Sequence, residues 1–413
     1  MLLTTLLMTG CAGHGNVQES CYRLASQGQL DESLERLEES RLARQGRDRL
    51  LYLMEKGTLL HLQGAYRQSN EVLEEADRLF EDLFTRSVTA ETFSFATNDT
   101  VIPYAGADYE SVYLNYYKIL NYLALDEISD AAVEARRIDE KLNWFSDRYG
   151  DSHSFQEDAF LRLLSGFVYE ALGDANNALV AYRKSLEAFQ TNQERYGVAV
   201  PQFLWRRLAV SARRTGLLEP AREYGEMAGD GDKGNDSGDG IVVVIVNNGA
   251  IPRKVPVRAV FPSGHGFPVA LAVPDFAPSS FGADEIRVSL EGKRWRDAEK
   301  TEDLAAVARR SLEDRKGRVL GKAIARVVTK QLAARQARKE AGPLAGFIAQ
   351  VFALTTEQAD LRSWTTLPRE IRTAVLPVPP GEHRLILQLG AQQKTQEVTV
   401  PPEGVAFVFT RIF

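Results

Sequence analysis

The hydrophobic period of the chain changes near residue 240. From about residue 16 to residue 228, apolar residues recur at three- and four-residue spacing, and glycines separate the runs. That spacing predicts amphipathic helices joined by short turns. After residue 240, short runs of apolar residues end at Pro, Gly or Asn, which predicts strands. The sequence therefore predicts an α+β fold with two domains, a helical domain over 16–228 and a β domain over 241–413.

The helical half is predicted to be a tandem repeat. In residues 160–189, Gly166 and Gly173 lie seven residues apart, and Ala178 and Tyr182 follow at the offsets of a tetratricopeptide repeat. Gly166 lets two helices approach, and Gly173 can take the left-handed conformation that ends the first helix. Weaker copies have their turns at Gly28, Gly64, Asp126 and Gly216. Stacked pairs form a superhelix whose concave face usually binds a peptide or protein segment.

One helix-poor stretch, from residue 86 to residue 108, interrupts the repeats and predicts a long ordered loop. Four tyrosines on one face of the next helix are candidate binding residues: Tyr109, Tyr113, Tyr116 and Tyr117. They fill the groove between repeats in one interpretation. In the other, their hydroxyls line a groove for a ligand.

The strand-rich half follows an acidic, Gly-rich segment, 229–240, that predicts a flexible linker. Asn247, Asn248 and Gly249 form a turn signal after the first strand. Near the far end, Pro380 and Gly381 with alternating apolar residues after them resemble the PxG hairpin of PEGA-type and transthyretin-like modules. A β-sandwich is the predicted architecture.

A helical insertion is predicted within the β half, from about residue 301 to residue 358. Between Asp303 and Glu340 it carries eleven Lys and Arg against four acids, and an apolar run follows Gly342 and Pro343. This pattern predicts a helical hairpin. Its amphipathic face either caps the open side of the sheet or lies on an anionic membrane.

Asp360, Arg362 and Trp364 form a dense group just after this insertion. An Asp and an Arg two residues apart suit an ion pair, and a stacked Trp beside them suits a junction between the hairpin and the sheet. Binding of a partner is the alternative interpretation.

Charge and rare residues exclude several classes of function. Up to Gly240 the chain has 25 basic and 39 acidic residues, and after it 25 and 17, an asymmetry that favours different partners for the two parts. The five histidines have no partner four residues away, and only two cysteines occur, so we expect no metal and no cofactor. No nucleophile elbow, P-loop or HExxH motif is present. We therefore expect no catalytic residues and no enzyme.

The first eleven residues, MLLTTLLMTGC, are typical of a lipoprotein signal that ends at an acylated cysteine, and the segment with signal and lipobox is predicted over 1–15. The run is too short to span a bilayer as a helix. It lacks the usual Lys or Arg, so we expect the true start to lie upstream of Met1. Cys11 is the predicted lipidation site, and Ala12 after it favours the outer membrane over the inner one. Cys21 is expected to pack within a helix.

Residues 109–138, 240–262 and 359–385 together resemble, in that order, segments of an uncharacterised family of proteobacterial tetratricopeptide lipoproteins. Its members tend to be encoded near lipoproteins similar to activators of penicillin-binding proteins. The resemblance implies a periplasm-facing scaffold for envelope proteins, with a role in peptidoglycan or surface-structure assembly. The alternative is a membrane- or lipid-interacting protein that acts through the basic hairpin. Neither involves nucleic acid, and the oligomeric state stays open.

Overall fold

The computed structural model describes residues 13–89, 102–149, 155, 157–229, 238–262, 268–278, 282–315, 317 and 359–413. Most of the predicted signal segment, including Cys11, most of the linker and most of the basic hairpin lie outside these residues. None of the described helices is both long enough and apolar enough to span a membrane.

Helices make up most of the first half. They are α1 (Gly13–Ser26), α2 (Leu30–Glu38), α3 (Arg41–Arg44), α4 (Arg49–Leu62), α5 (Tyr66–Thr89), α6 (Asp108–Ala124), α7 (Ile128–Tyr149), α8 (Ala159–Ala171), α9 (Ala175–Tyr196), α10 (Gln202–Arg214) and α11 (Leu218–Ala228). A 3₁₀ turn, Gly46–Asp48, precedes α4, and a further helix, α12, covers residues 304–315.

The described strands all lie in the second half of the chain. They are β1 (Gly240–Asn248), β2 (Lys254–Pro262), β3 (Pro268–Phe276), β4 (Ile286–Leu290), β5 (Arg296–Asp297), β6 (Glu299–Glu302), β7 (Glu370–Val378), β8 (Gly381–Leu389), β9 (Gln392–Val400) and β10 (Val405–Ile412).

The chain forms two compact units. Unit 1 comprises Met1–Ala107, Arg253–Ala277 and Leu312–Thr366, and unit 2 comprises Asp108–Pro252, Pro278–Ser311 and Leu367–Phe413. Each unit combines helices with residues from the strand-rich half. Unit 1 holds the α1–α5 helices and the β2–β3 hairpin.

The repeat prediction is confirmed by the turns within the helix pairs. Gly28, Gly64, Gly173 and Gly216 all have φ between 78° and 80°, and Asp126 has φ 60°. Each therefore takes the left-handed conformation that ends a first helix, and Asp is among the few residues with a side chain that tolerate it. The five pairs are α1–α2, α4–α5, α6–α7, α8–α9 and α10–α11.

The residues that pack between the two helices lie at the same distances from the turn residue in every pair. The fifth residue after the turn residue has a small, buried side chain: Ser33, Ser69, Ala131, Ala178 and Ala221. The seventh residue before the turn residue is Cys21, Gly57, Ile119, Gly166 or Ala209. Cys21 thus lies at an interhelical position and is 4% exposed; burial raises the pKa of its thiol to about 12.

Unit 2 contains two four-stranded sheets with the strand orders β10-β1-β7-β6 and β5-β4-β8-β9. In the first, β1 pairs in parallel with β10 and antiparallel with β7. Alternate residues of both sheets share one hydrophobic core, among them Val244, Leu376, Val288 and Leu387. Facing sheets with a common core are the arrangement of a β-sandwich.

The hairpin predicted from Pro380 and Gly381 is wrong. Pro380 and Gly381 do not close a hairpin, because β7 pairs with β1 and β6, whereas β8 pairs with β4 and β9. The corner instead carries the chain from one sheet to the other. Gly249, with φ 65°, directly follows the end of β1 at Asn248.

Candidate functional site

The segment 359–366 of unit 1 is held by side chains from the N-terminal helices. Arg362, only 6% exposed, donates to both carboxylate oxygens of Asp360, at 2.9 and 2.7 Å, and to Asp48 Oδ1 at 3.0 Å. Its guanidinium also donates to the Ile102 carbonyl at 3.1 Å and lies 5.3 Å from the centre of the Tyr104 ring. The predicted Asp360–Arg362 ion pair is therefore present.

The charge of Arg362 is fully compensated. Burial by itself lowers the pKa of a guanidinium, but the carboxylates of Asp360 and Asp48 outweigh it and raise the pKa above its ordinary value. Asp48 directly precedes α4, so the pair ties the segment to the start of that helix.

Trp364 is fully buried against α4. Its Nε1 donates to Thr58 Oγ1 at 3.1 Å and lies 3.0 Å from Thr366 Oγ1. A buried indole N–H requires such an acceptor, and Thr58 supplies one from within the helix. The Trp is thus an anchor inserted among the helices.

Glu55 of α4 binds the backbone of the same segment. Its carboxylate accepts hydrogen bonds from the Thr365 amide at 2.8 Å, the Thr365 hydroxyl at 2.8 Å and the Thr366 amide at 3.2 Å. Gln18 of α1 donates to Glu55 at 2.7 Å and to the Ser363 carbonyl at 2.8 Å. Burial raises the pKa of Glu55, and these hydrogen bonds oppose the rise.

These contacts amount to recognition of a non-helical peptide segment that ends in a turn. Helices α1 and α4 and the turn before α4 supply an acceptor for an aromatic anchor, one carboxylate, that of Asp48, for an arginine, and polar groups for main-chain amides and a carbonyl. In this structure the ligand is the chain's own segment 359–366. Sequence reasoning found Asp360, Arg362 and Trp364 but missed Asp48, Glu55 and Thr58. The available signal was Glu55, an acid within the apolar run of α4.

The four candidate tyrosines of α6 lie inside unit 2. All are at most 2% exposed. Tyr113 donates to Asp158 Oδ2 at 3.2 Å and Tyr116 to Asn247 Oδ1 at 2.8 Å. Helices α6 and α8, the first of their pairs, contact strands β6 and β10 on this side. Burial and internal hydrogen bonds favour the packing interpretation of these tyrosines over a ligand groove.

A buried carboxyl pair lies next to Tyr113. Asp158 accepts from the Leu161 amide at 2.8 Å as the N-cap of α8, and it shares a hydrogen bond with Glu302 of β6. Burial raises the pKa of both carboxyls, that of Asp158 to about 6. The adjoining cavity of about 10 Å³ has room for a single water. The pair is therefore enclosed within unit 2 beside space for one water.

Over the residues that the structure describes, no group of three or more His, Cys, Asp and Glu side chains has the arrangement of a metal site. The three buried carboxylates described above, Asp48, Glu55 and Asp158, each accept hydrogen bonds from donors of the protein itself.

Comparison with known proteins adds little to this geometry. No protein-family model matches the sequence, and no curated protein matches it. Among solved structures, the MamA protein is 13% identical with a TM-score of 0.33, over 52% of this chain and 88% of MamA. MamA from Desulfovibrio magneticus RS-1 is 14% identical with a TM-score of 0.32, over 52% of this chain and 92% of its own.

A third structure, a kinesin light chain of Podosopora anserina with nearly identical TPR-like repeats, is 16% identical with a TM-score of 0.34. It covers 52% of this chain and 92% of its own. Likenesses at such scores carry no inference about function. The helix pairs with left-handed turns and small interhelical residues are what make the helical part a tetratricopeptide-like array.

Proposed function

We propose that this chain is a protein-binding scaffold of the cell envelope, tethered by a lipid on Cys11 and without catalytic activity. The observation that carries the binding role is the recognition of segment 359–366 by α1 and α4. There, helices of the repeat array bind a non-helical segment through its backbone as well as through an arginine and a tryptophan. Tetratricopeptide-like arrays use the same kind of contact with partners.

The surface proposed for the partner lies on the second helices of the pairs in unit 2. The first helices, α6 and α8, face the chain's own strands. By contrast, α7 and α9 carry exposed apolar side chains: Val133 and Trp144 are each 41% exposed and Val180 is 52% exposed. Val133 and Trp144 are three helical turns apart on one face of α7. Arg148 lies over the Trp144 ring, 5.1 Å from its centre.

The localisation is proposed from the N-terminal pattern alone. A lipid on Cys11 would anchor the protein, and Ala12 favours the outer membrane with the folded units facing the periplasm. One acyl chain gives only weak anchoring, and the several chains of a bacterial lipoprotein hold it firmly. Radiolabelled palmitate should be incorporated into the natural chain and absent from Cys11→Ser, which should leave the membrane fraction.

The binding proposal is tested by site-specific photocrosslinking in cells. A photoreactive phenylalanine analogue at Trp144 and one at Val180 should crosslink to one and the same envelope protein. Gln393, exposed on the edge strand β9, is the matched control position and should give no such product. The captured protein, purified, must then bind the purified chain and lose affinity for a Trp144→Ala, Val180→Ser variant.

Two results would contradict the proposal. Crosslinks from Gln393 but from neither helix position would mean that the repeats do not bind the partner. Turnover of an envelope substrate by the purified chain, abolished by a single side-chain change, would make it an enzyme.

A further inference from the structure

Asn248 and Gly249, at the end of β1, form the only Asn-Gly step in the sequence. Asparagine deamidates fastest before glycine, because glycine has no side chain to hinder attack of its amide nitrogen on the asparagine Cγ. That attack closes a five-membered succinimide, and the side-chain nitrogen leaves as ammonia. Water then opens the ring at either carbonyl and gives aspartate or isoaspartate. The step is therefore chemically reactive wherever the backbone and the carboxamide are free to rotate.

Three hydrogen bonds hold the carboxamide of Asn248, which is only 1% exposed. Its Nδ2 donates to the Ala283 carbonyl at 2.9 Å and to Glu370 Oε1 at 2.8 Å, and its Oδ1 accepts from the Ala283 amide at 2.8 Å. A Cβ at Gly282 would lie 2.8 Å from the same Oδ1, so a glycine makes this close approach possible. Rotation of Cγ toward the next amide would break all three hydrogen bonds.

The attacking nitrogen is held as well. The Gly249 amide donates to the Ile412 carbonyl at 2.9 Å, and the Asn248 carbonyl accepts from the Arg369 amide at 3.0 Å. Asn248 also lies between two strands, opposite Ile412 of β10 and Glu370 of β7. Ring closure needs the Gly249 nitrogen turned to the side of the Asn248 Cβ, and the extended backbone of a strand keeps the two apart. The fold therefore fixes both reacting groups in an unreactive arrangement.

Either product would place a carboxylate where the fold uses a donor. A carboxylate at position 248 cannot donate to the Ala283 carbonyl, and it would face Glu370, whose Oε1 accepts from Arg372 at 2.7 Å. Burial by itself raises the pKa of Glu370, but hydrogen bonds from Arg372 and Asn248 outweigh it and lower the pKa, so Glu370 is charged. Isoaspartate would also add a methylene to the main chain between β7 and β10. The modified chain would thus lose buried hydrogen bonds and gain a buried like-charge contact.

We propose that Asn248 is a deamidation site that the folded chain keeps closed and that unfolding opens, and that a chain modified there no longer refolds. Unfolding frees the carboxamide and the Gly249 nitrogen together, because the same strand pairings hold both. Chemical modification of an unfolded chain is one way in which unfolding becomes irreversible. All the residues involved belong to unit 2, so the proposal is independent of the scaffold role and of the peptide contacts of unit 1.

The test compares the natural purified chain in native buffer and in concentrated urea at the same mildly alkaline pH. Proteolysis and mass spectrometry then measure the conversion of Asn248 to aspartate and isoaspartate over time. We expect conversion in urea to be about a hundredfold faster or more, because in native buffer it must wait for the sheet to open. Asn177, exposed on α9 and followed by Ala178, is the internal control and should convert slowly in both solutions.

A refolding step tests the consequence of modification. Chains kept in urea for increasing times are diluted into native buffer, and the folded and unfolded fractions are separated. The folded fraction should contain unmodified Asn248, and the products should be enriched about tenfold or more in the fraction that stays unfolded.

One variant tests the hydrogen bonds directly. Glu370→Ala removes an acceptor of the carboxamide, and it should speed conversion of Asn248 in native buffer about tenfold. Glu382→Ala, at an exposed position of β8, is the matched control and should not change the rate. The comparison of native buffer with urea uses the natural chain, so it decides the question even if Glu370→Ala does not fold.

Four results would overturn the proposal. The first two are equal rates at Asn248 in native buffer and in urea, and no conversion in urea. The third is equal modification of the folded and unfolded fractions, which would mean that the fold accepts the product. The fourth is an equal rate in folded Glu370→Ala and its control, which would mean that these hydrogen bonds do not protect the carboxamide.

Discussion

Gly57 and Gly166 lie where the two helices of a pair come closest. A Cβ at Gly166 would overlap the ring of Tyr182, and one at Gly57 would overlap the side chain of Leu73. Each large residue stands nine positions after the turn of its pair and each glycine seven before it. In α6–α7 the sizes are reversed at those positions, with Ile119 before the turn and Ala135 after it, both fully buried. In these three pairs the side-chain volumes at the two contact positions therefore complement each other.

This complementarity predicts the effect of Gly166→Ala. The added methyl must displace the fully buried Tyr182, whose hydroxyl is bound to Glu170, so the ring cannot move freely. We expect the free energy of unfolding to fall by about 1–3 kcal/mol, as for other overpacked cores. Chemical denaturation of the two proteins measures it.

Gly225→Ala is the matched control for that change. Gly225 is also helical, and a Cβ there would meet no heavy atom within 4 Å. Because alanine is the better helix former, the control should be neutral or more stable by up to about 1 kcal/mol. Equal effects at both positions would contradict the close contact at Gly166.

Helix α4 of unit 1 makes most of the contacts with segment 359–366. It supplies Glu55 and Thr58, and the turn before it supplies Asp48. Glu55 is fully buried, so its charge is tolerated only because donors from segment 363–366 and from Gln18 surround it. The helix and the segment therefore stabilise each other.

This mutual dependence predicts the consequence of Glu55→Ala. The amides of Thr365 and Thr366 lose their acceptor, and we expect their protection against hydrogen exchange to fall about tenfold or more. Exchange followed by mass spectrometry of peptides that cover 359–366 measures the change.

Glu38→Ala on α2 is the control for that experiment. Glu38 is exposed and pairs with Lys56 at 2.7 Å, a surface ion pair of small energy. Exchange in 359–366 should not change in this variant. Unaltered protection in Glu55→Ala would mean that the carboxylate does not hold the segment.

At the scale of the molecule, the pH dependence of stability involves the carboxyl pair Asp158 and Glu302. This pair links the start of α8 to strand β6 within unit 2. Burial raises the pKa of both carboxyls above their unfolded values of about 4, so the folded chain binds protons more tightly than the unfolded one. The pair's contribution to stability is therefore complete below about pH 4 and is lost as the pH rises past about 6.

Glu302→Gln should flatten this part of the pH profile. The amide cannot ionise yet can still donate a hydrogen bond to Asp158. We expect the free energy of unfolding to fall less between about pH 5 and about pH 8 than it does in the natural chain. Glu397→Gln, at an exposed position of β9, should keep the natural slope. Parallel profiles for both variants would rule out a titrating pair at this site.

The sequence by itself determined the repeat array. Its signals are local: a glycine or Asp126 at the turn, a small residue five later, and helical spacing between, and each acts within one pair of neighbouring helices. Strand positions were predictable for the same reason, because alternation of apolar residues is a property of a single strand.

Only the tertiary structure decided the partners of those elements. That β7 and β8 belong to different sheets depends on pairing with β1 and β4, which lie far away in sequence. The hydrogen bond between Glu55 and Thr365 joins residues 310 positions apart. The arginines of α10 lie beside Glu170 and Glu403, which are also distant from them in sequence. Local sequence patterns do not indicate which residues so far apart in the chain will contact each other. Burial and hydrogen-bond satisfaction in the folded chain select them.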